Sequence, residues 1–109
     1  MYRSLIVARM LPDAAPDIAE IFANSDRTTD LPQTIGVRSR SLFQFGEVYL
    51  HLVEGEAPVE SAVTDARHHP EFRRISEELR PFVAAYDPTT WREPKDAMAQ
   101  EFYRWERNA

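Results

Sequence analysis

DLPQTIGVRSRSLFQFGEVYLHLVE, residues 30 to 54, is the stretch on which the fold turns. It reads as two β-strands joined by a tight turn at Gly46 with Glu47. On the first strand Ile35, Val37, Ser39, Ser41 and Phe43 share one face, and Arg38, Arg40, Leu42 and Gln44 the other. On the second, Tyr49, His51 and Val53 lie opposite Val48, Leu50, Leu52 and Glu54. Neither strand alternates cleanly between apolar and polar. That pattern suits a sheet with helices on one face and something else, such as a second subunit, over the other. Arg38, Arg40 and His51 must either point to solvent or line a cavity. Strand parity alone does not fix the register across Gly46, so it leaves open whether Arg40 and His51 face the same side.

Working outward toward the N-terminus, residues 2–10 are short, rich in Leu, Ile and Val, and end before Pro12, which predicts a strand. The run Leu5-Ile6-Val7-Ala8 predicts a central strand buried on both faces. A helix follows, with Asp13 as its cap and Pro16 in its first turn. Ile18, Ile21 and Phe22 give it an inward face, and it should stop by Asn24-Ser25. Asp26 to Gln33 then reads as a polar loop closed by Pro32.

Working outward toward the C-terminus, Val59, Ala62, Val63 and Ala66 carry helical spacing that Pro70 should break near His69. A new turn restarts at Glu71 with Phe72, Ile75 and Leu79 inward. Pro81 disturbs it, while Phe82, Val83 and Tyr86 continue the apolar stripe. Residues 87–96 read as a loop, and AMAQEFYRWE, residues 97–106, as a last strand. The order β-α-β-β-α-β is the ferredoxin-like α+β pattern, a four-stranded antiparallel sheet with two helical regions on one face. The other sheet face would be covered by dimerisation.

Composition narrows the partners. A chain of 109 residues predicts one domain spanning 1–109, and 43% hydrophobic residues predict a folded one. The net charge of −5 argues against nucleic acid and acidic membranes as partners. The absence of cysteine rules out disulfides and thiolate nucleophiles and fits a cytoplasmic protein. The apolar run of residues 1–11, broken at Arg9, predicts neither a signal peptide nor a membrane span.

Six blocks carry a resemblance over essentially the whole chain. They are V-x-R-M at 7–10, D-x-T-x-x-L-P at 26–32, I-G-V-R-x-R-x-L-F at 35–43, Y-x-H-L at 49–52, A-R-x-H-P at 66–70 and F-Y-x-W at 102–105. Their ordered combination resembles the small aromatic polyketide cyclases of the tetracenomycin F2 cyclase type. The resemblance implies a dimer of the α+β barrel type from a bacterial type II polyketide pathway. Its substrate would be a partly cyclised poly-β-ketone, with polyketide synthase components as further partners. Its reaction would be an intramolecular aldol condensation with loss of water, requiring no cofactor and no metal.

Such chemistry needs a proton taken from a methylene between two carbonyls, a stabilised enolate, and protonation of the leaving oxygen. Because poly-β-ketones cyclise spontaneously, templating in a shaped cavity is itself a large part of the task. Arg40 is the first candidate for enolate stabilisation, against the plainer reading of a solvent-facing or interfacial arginine. Arg38 is second. His51, with an ordinary pKa of about 6.5, is the candidate acid–base group, against a strand histidine satisfied by hydrogen bonds. Asp26 is a candidate base, or an orienting group for His51 or Arg40, against a cap or turn residue. Family members can carry His-Asp where this chain has Ser25-Asp26, and Ser25 could only donate a hydrogen bond, which shifts weight to His51 or to templating.

His68 and His69 read as structural or surface residues, with His69 bonding backbone carbonyls freed by Pro70. Adjacent in sequence, they do not make a metal site with His51. Arg9, Tyr49, Phe22, Phe43, Phe102 and Trp105 could line a pocket for a flat ligand, though aromatics in a small domain are more often core. Two other classes stay open. One is a cofactor-free quinone-forming monooxygenase using donors such as Asn24, Trp91 and Tyr103. The other is a non-catalytic ligand-binding dimer.

Overall fold

The turn at Gly46 is built as a two-residue loop. Phe45 pairs with Val48, and Gly46 takes the left-handed φ of 60° that primed hairpin turns require. From this hairpin the computed structural model extends to residues 2–58, 67–92 and 94–107, which are the residues described below. The helical spacing of Val59 to Ala66 lies outside them.

The sheet holds β1 (Tyr2–Met10), β2 (Val37–Phe45), β3 (Val48–Gly55) and β4 (Val83–Ala85) in the order β2-β3-β1-β4. All neighbours are antiparallel. The helices are α1 (Ala15–Thr28), the short α2 (Leu31–Thr34) and α3 (Pro70–Leu79), with a 3₁₀ turn at Pro94–Ala97. Ala8, Met10 and Tyr49 of the sheet meet Ile18 and Phe22 of α1, Leu31 of α2 and Ile75 of α3 in one core. Phe72 and Leu79 pack onto it, as the spacing from Glu71 onward predicts. The βαββαβ order therefore holds, with helices on one face.

Several boundaries differ from expectation, each for a local reason. Helix α1 begins after Ala14, with no side-chain cap from Asp13. It also runs past Asn24-Ser25 to Thr28, closed by Thr29, whose N–H and hydroxyl both bond the Ser25 carbonyl. Ser25 and Asp26 are thus helical, and Ser25 is buried one turn beyond Phe22. Pro32 opens α2 instead of closing a loop. Pro70 starts α3, and His69 caps it by accepting the Glu71 N–H at Nδ1, 3.1 Å away, instead of bonding carbonyls.

The largest correction concerns the last strand. After Pro81, which cannot sit inside a helix, Val83 to Ala85 leave the helical path and pair with Met10 to Ala8. Past this short strand the same edge of β1 is met by Met98, as an isolated bridge to Ile6, and by the Ala99 N–H, which donates to the Leu5 carbonyl, and residues 99–107 form no strand. β1 is central, yet only Ala8 and Met10 are buried. Leu5 and Val7 are half-buried on the opposite face.

That outer face carries an apolar surface. Leu5, Val7, Val48, Leu50 and Leu52 lie side by side in the observed register, continued by Phe43 at 53% and Phe45 at 78% exposure.

A bulge decides which arginine enters the core side. Val37 pairs with Gly55 and Ser39 with Glu54, so Arg38 is the extra residue and alternation restarts after it. Val37, Arg40, Leu42 and Gln44 then share the inner face with Tyr49, His51 and Val53. Arg38 does not share a face with Arg40; it lies outside the core, 3.3 Å from the Glu56 carboxylate.

Candidate active site

Between the inner face of the sheet and helices α1 and α3 lies a cavity of about 450 Å³. Protein interiors seldom hold voids larger than a water, and a space of this size falls in the ordinary range of small-molecule sites. Its wall is mostly apolar: Ile6 and Ala8 from β1, Leu31 and Ile35 around α2, Phe72, Ile75 and Leu79 from α3. Trp91, Ala97 and Met98 contribute from the C-terminal segment. Its polar groups are Arg40, Tyr49 and His51 on the hairpin, which are wholly or largely buried, and Ser76 and the exposed Arg80 from α3 and its end.

The register places them. Leu42 faces His51 and Arg40 faces Val53, so Arg40 sits diagonally across from His51 on the same face. Arg40 Nη1 is 3.1 Å from His51 Nε2, and Arg40 Nε donates to Asp26 Oδ2 at 2.9 Å. Tyr49 Oη lies 3.0 Å from His51 Nδ1. Asp26, Arg40, His51 and Tyr49 thus form one hydrogen-bonded chain. The extended α1 makes this possible, because Asp26 stands one helical turn beyond Phe22 and overhangs the hairpin. Phe22 closes the floor, with the guanidinium carbon 4.9 Å from its ring centre and the His51 ring edge-on at 5.1 Å.

The electrostatics follow from burial. His51 is buried, and desolvation together with the neighbouring Arg40 charge pushes its pKa down to about 3. It is neutral at neutral pH, which corrects the expectation of an imidazole titrating near its ordinary value. Burial raises the Tyr49 phenol well above its usual range, against an opposing effect of the Arg40 charge, so it stays protonated. Arg40 is then the single positive group of the chain, with Asp26 as its counter-ion.

All three predicted catalytic residues, Asp26, Arg40 and His51, are therefore brought together. Other candidates are elsewhere. Arg9 is exposed, with its guanidinium over the Tyr86 ring. Phe43 is on the outer face, and Phe102, Tyr103 and Trp105 are exposed. His68 is exposed and His69 caps α3. Phe22 and Trp91 do line the cavity, but Asn24 is exposed.

Two features were not singled out as functional from sequence. One is Tyr49, read only as possible lining; its position two residues from His51 on a strand was the available signal. The other flanks the site, where Arg74 is bonded to Glu71. That bond, with a smaller contribution from the Ser25 hydroxyl, lowers the Glu71 carboxyl pKa. Ser25 serves this structural contact between α1 and α3. Among the described residues no group of three or more His, Cys, Asp or Glu side chains is arranged to hold a metal ion.

Comparison with known proteins gives a consistent picture. A family model described as polyketide synthesis cyclase matches residues 2–106. An uncharacterised protein of Streptomyces coelicolor is 58% identical over 98% of this chain and 96% of its own. The polyketide synthase CurG of Streptomyces cyaneus is 48% identical, covering 99% of this chain and all of that one. Tetracenomycin F2 cyclase of Streptomyces glaucescens is 41% identical, over 95% and 94% of the two chains. The solved structure of that enzyme, a type-II polyketide cyclase, matches with a TM-score of 0.91 at 40% identity, covering 99% of this chain and 100% of the other.

Proposed function

Because this chain belongs to the polyketide synthesis cyclase family and is a polyketide cyclase, we propose that it closes a ring of a partly cyclised poly-β-ketone by intramolecular aldol condensation and loss of water, with Arg40 as the group that meets the developing oxyanion. The observation that carries this assignment is the position of Arg40. It is the one guanidinium of the hairpin on the cavity wall, and its side chain keeps only 15% of its exposure. Beside largely apolar walls a fixed cation stabilises an enolate oxygen better than it would in bulk water. The reaction moves protons and expels water without net oxidation or reduction, so it asks for no redox partner.

Asp26 and His51 hold the guanidinium from two sides and fix its plane. In this reading both are positioning residues, and His51 acts as a neutral acceptor. The methylene between two carbonyls is acidic enough that orientation dominates the barrier. The apolar wall shapes the chain, and Arg40 marks where the reacting carbonyl lies. Of the donors that a quinone-forming monooxygenase would use, only Trp91 reaches the cavity.

The reading includes a homodimer, polyketide synthase components as upstream partners, and the cytoplasm as its compartment. The outer sheet face supports the dimer, since Phe43, Phe45 and the strand residues beside them make an apolar surface of the kind that subunits cover. Among the described residues no helix is long and apolar enough to cross a membrane.

The test is a timed ring-closure assay with a partly cyclised poly-β-ketone supplied by a reconstituted type II synthase. The protein should accelerate formation of one aromatic product and consume no oxygen. Arg40→Ala should lower that rate by about a hundredfold or more, in the range of a lost oxyanion donor. Ligand binding with no acceleration would contradict the reading.

A further inference from the structure

The proposed reaction gives Tyr49 no part, yet the hydrogen-bond chain leaves its phenol with a proton to donate. Arg40 sets the direction of the hydrogen bonds. A guanidinium has only donors, so His51 Nε2, 3.1 Å from Arg40 Nη1, must accept. A neutral imidazole carries one ring proton, which is then on Nδ1. Nδ1 lies 3.0 Å from Tyr49 Oη, so the ring N–H donates and the phenol oxygen accepts. The phenol's own hydrogen is thereby directed away from His51. Tyr49 is buried and lines the cavity, and among the described residues His51 is the only partner of its hydroxyl. A buried O–H with no acceptor among the described residues, on a residue that lines the cavity, is a donor open to a ligand there.

The two nitrogens of an imidazole point to opposite sides of the ring. Arg40 and Tyr49 therefore stand apart and address two different oxygens. We propose that Tyr49 is a specificity-determining residue whose phenol donates a hydrogen bond to a second carbonyl of the substrate. A poly-β-ketone presents carbonyls at regular intervals. Holding one at Arg40 and another at Tyr49 fixes which carbons lie between, and so which methylene meets which carbonyl. His51 acts here as the rigid spacer, and its tautomer, set by Arg40, orients the phenol. This inference rests on the cyclase reading above for its substrate, but not for its geometry.

Two measurements test it. The first needs no substrate: ¹⁵N NMR of wild-type His51 at neutral pH should show Nδ1 protonated and Nε2 bare. The opposite tautomer would make the phenol a donor to His51 and overturn the proposal. The second is Tyr49→Phe, which keeps the ring and its packing. In the ring-closure assay kcat/KM should fall about three- to tenfold, the value of one hydrogen bond, and the product should shift toward the spontaneous mixture. An unchanged product distribution in a folded variant would also overturn it. If wild type itself directs no ring closure, the cyclase reading fails, and the NMR measurement alone decides whether Tyr49 is the open donor.

Discussion

A guanidinium held between a carboxylate and an imidazole behaves differently from a surface arginine. Arg40 is pinned by Asp26 at 2.9 Å and His51 at 3.1 Å, so little is lost in orienting it toward a ligand oxygen. Burial, with the Arg40 charge beside it, suppresses the titration that makes histidine useful as an acid–base group. The folded pKa of His51 is about 3 and its unfolded value about 6.5, so the unfolded state binds the extra proton between them. His51 therefore contributes no penalty above about pH 6.5 and costs stability as pH falls below it, at up to about 1.4 kcal/mol per unit. Denaturant unfolding followed from neutral pH toward pH 4 should show this slope in wild type and lose about one proton's worth of it in His51→Gln. Equal slopes would mean that His51 is not neutral in the fold. The grouping of Asp26, Arg40 and His51 was legible in the sequence through the resemblance of its blocks. The low pKa was not, because it depends on burial and on a contact between side chains eleven residues apart.

At the scale of elements, the hairpin was readable and its defect was not. Gly46 announces the turn and the β-branched and aromatic residues announce the strands. The bulge at Arg38 leaves no mark in composition, yet it reverses the face of everything before it and separates Arg38 from Arg40. Short β4 was hidden for a related reason: three residues are too few to show a period, and Phe82 and Val83 fit the preceding helical stripe equally well. The crossing near Gly55 also has a steric reason. A Cβ there would sit 2.8 Å from the Gly36 carbonyl oxygen, a backbone atom fixed further by the Glu56 N–H that bonds it. Gly55→Ala should therefore destabilise the protein by about 1–3 kcal/mol, the usual cost of overpacking, measured by denaturant midpoint. A neutral or stabilising effect would show that the β2–β3 end can shift freely.

For the whole molecule, one sheet separates two apolar surfaces. Among the described residues the inner one, against α1 and α3, leaves the cavity. The outer one has no cover within the described residues. Sedimentation at micromolar concentration should report a dimer, and Leu50→Lys on the outer face should shift it to monomer while leaving the inner core untouched. A stable wild-type monomer would contradict this assignment of the outer face. The overall βαββαβ order was legible because each inner element carries its own periodicity. The last strand was misplaced because Phe102, Tyr103 and Trp105 look like sheet residues, whereas the edge of β1 is already occupied by Val83 to Ala85 and bridged by Met98. Those three aromatics, 69% to 94% exposed, add to the apolar surface outside the core.

The central claim is that the cavity between the sheet and the two long helices binds a polyketide with an oxygen at Arg40. A crystal structure with a polycyclic phenolic product bound tests it most directly. The product should lie inside the cavity with one oxygen within hydrogen-bond distance of the Arg40 guanidinium and a second within reach of Tyr49 Oη. A product bound on the outer sheet face, or in the cavity with its oxygens turned away from Arg40, would contradict the account.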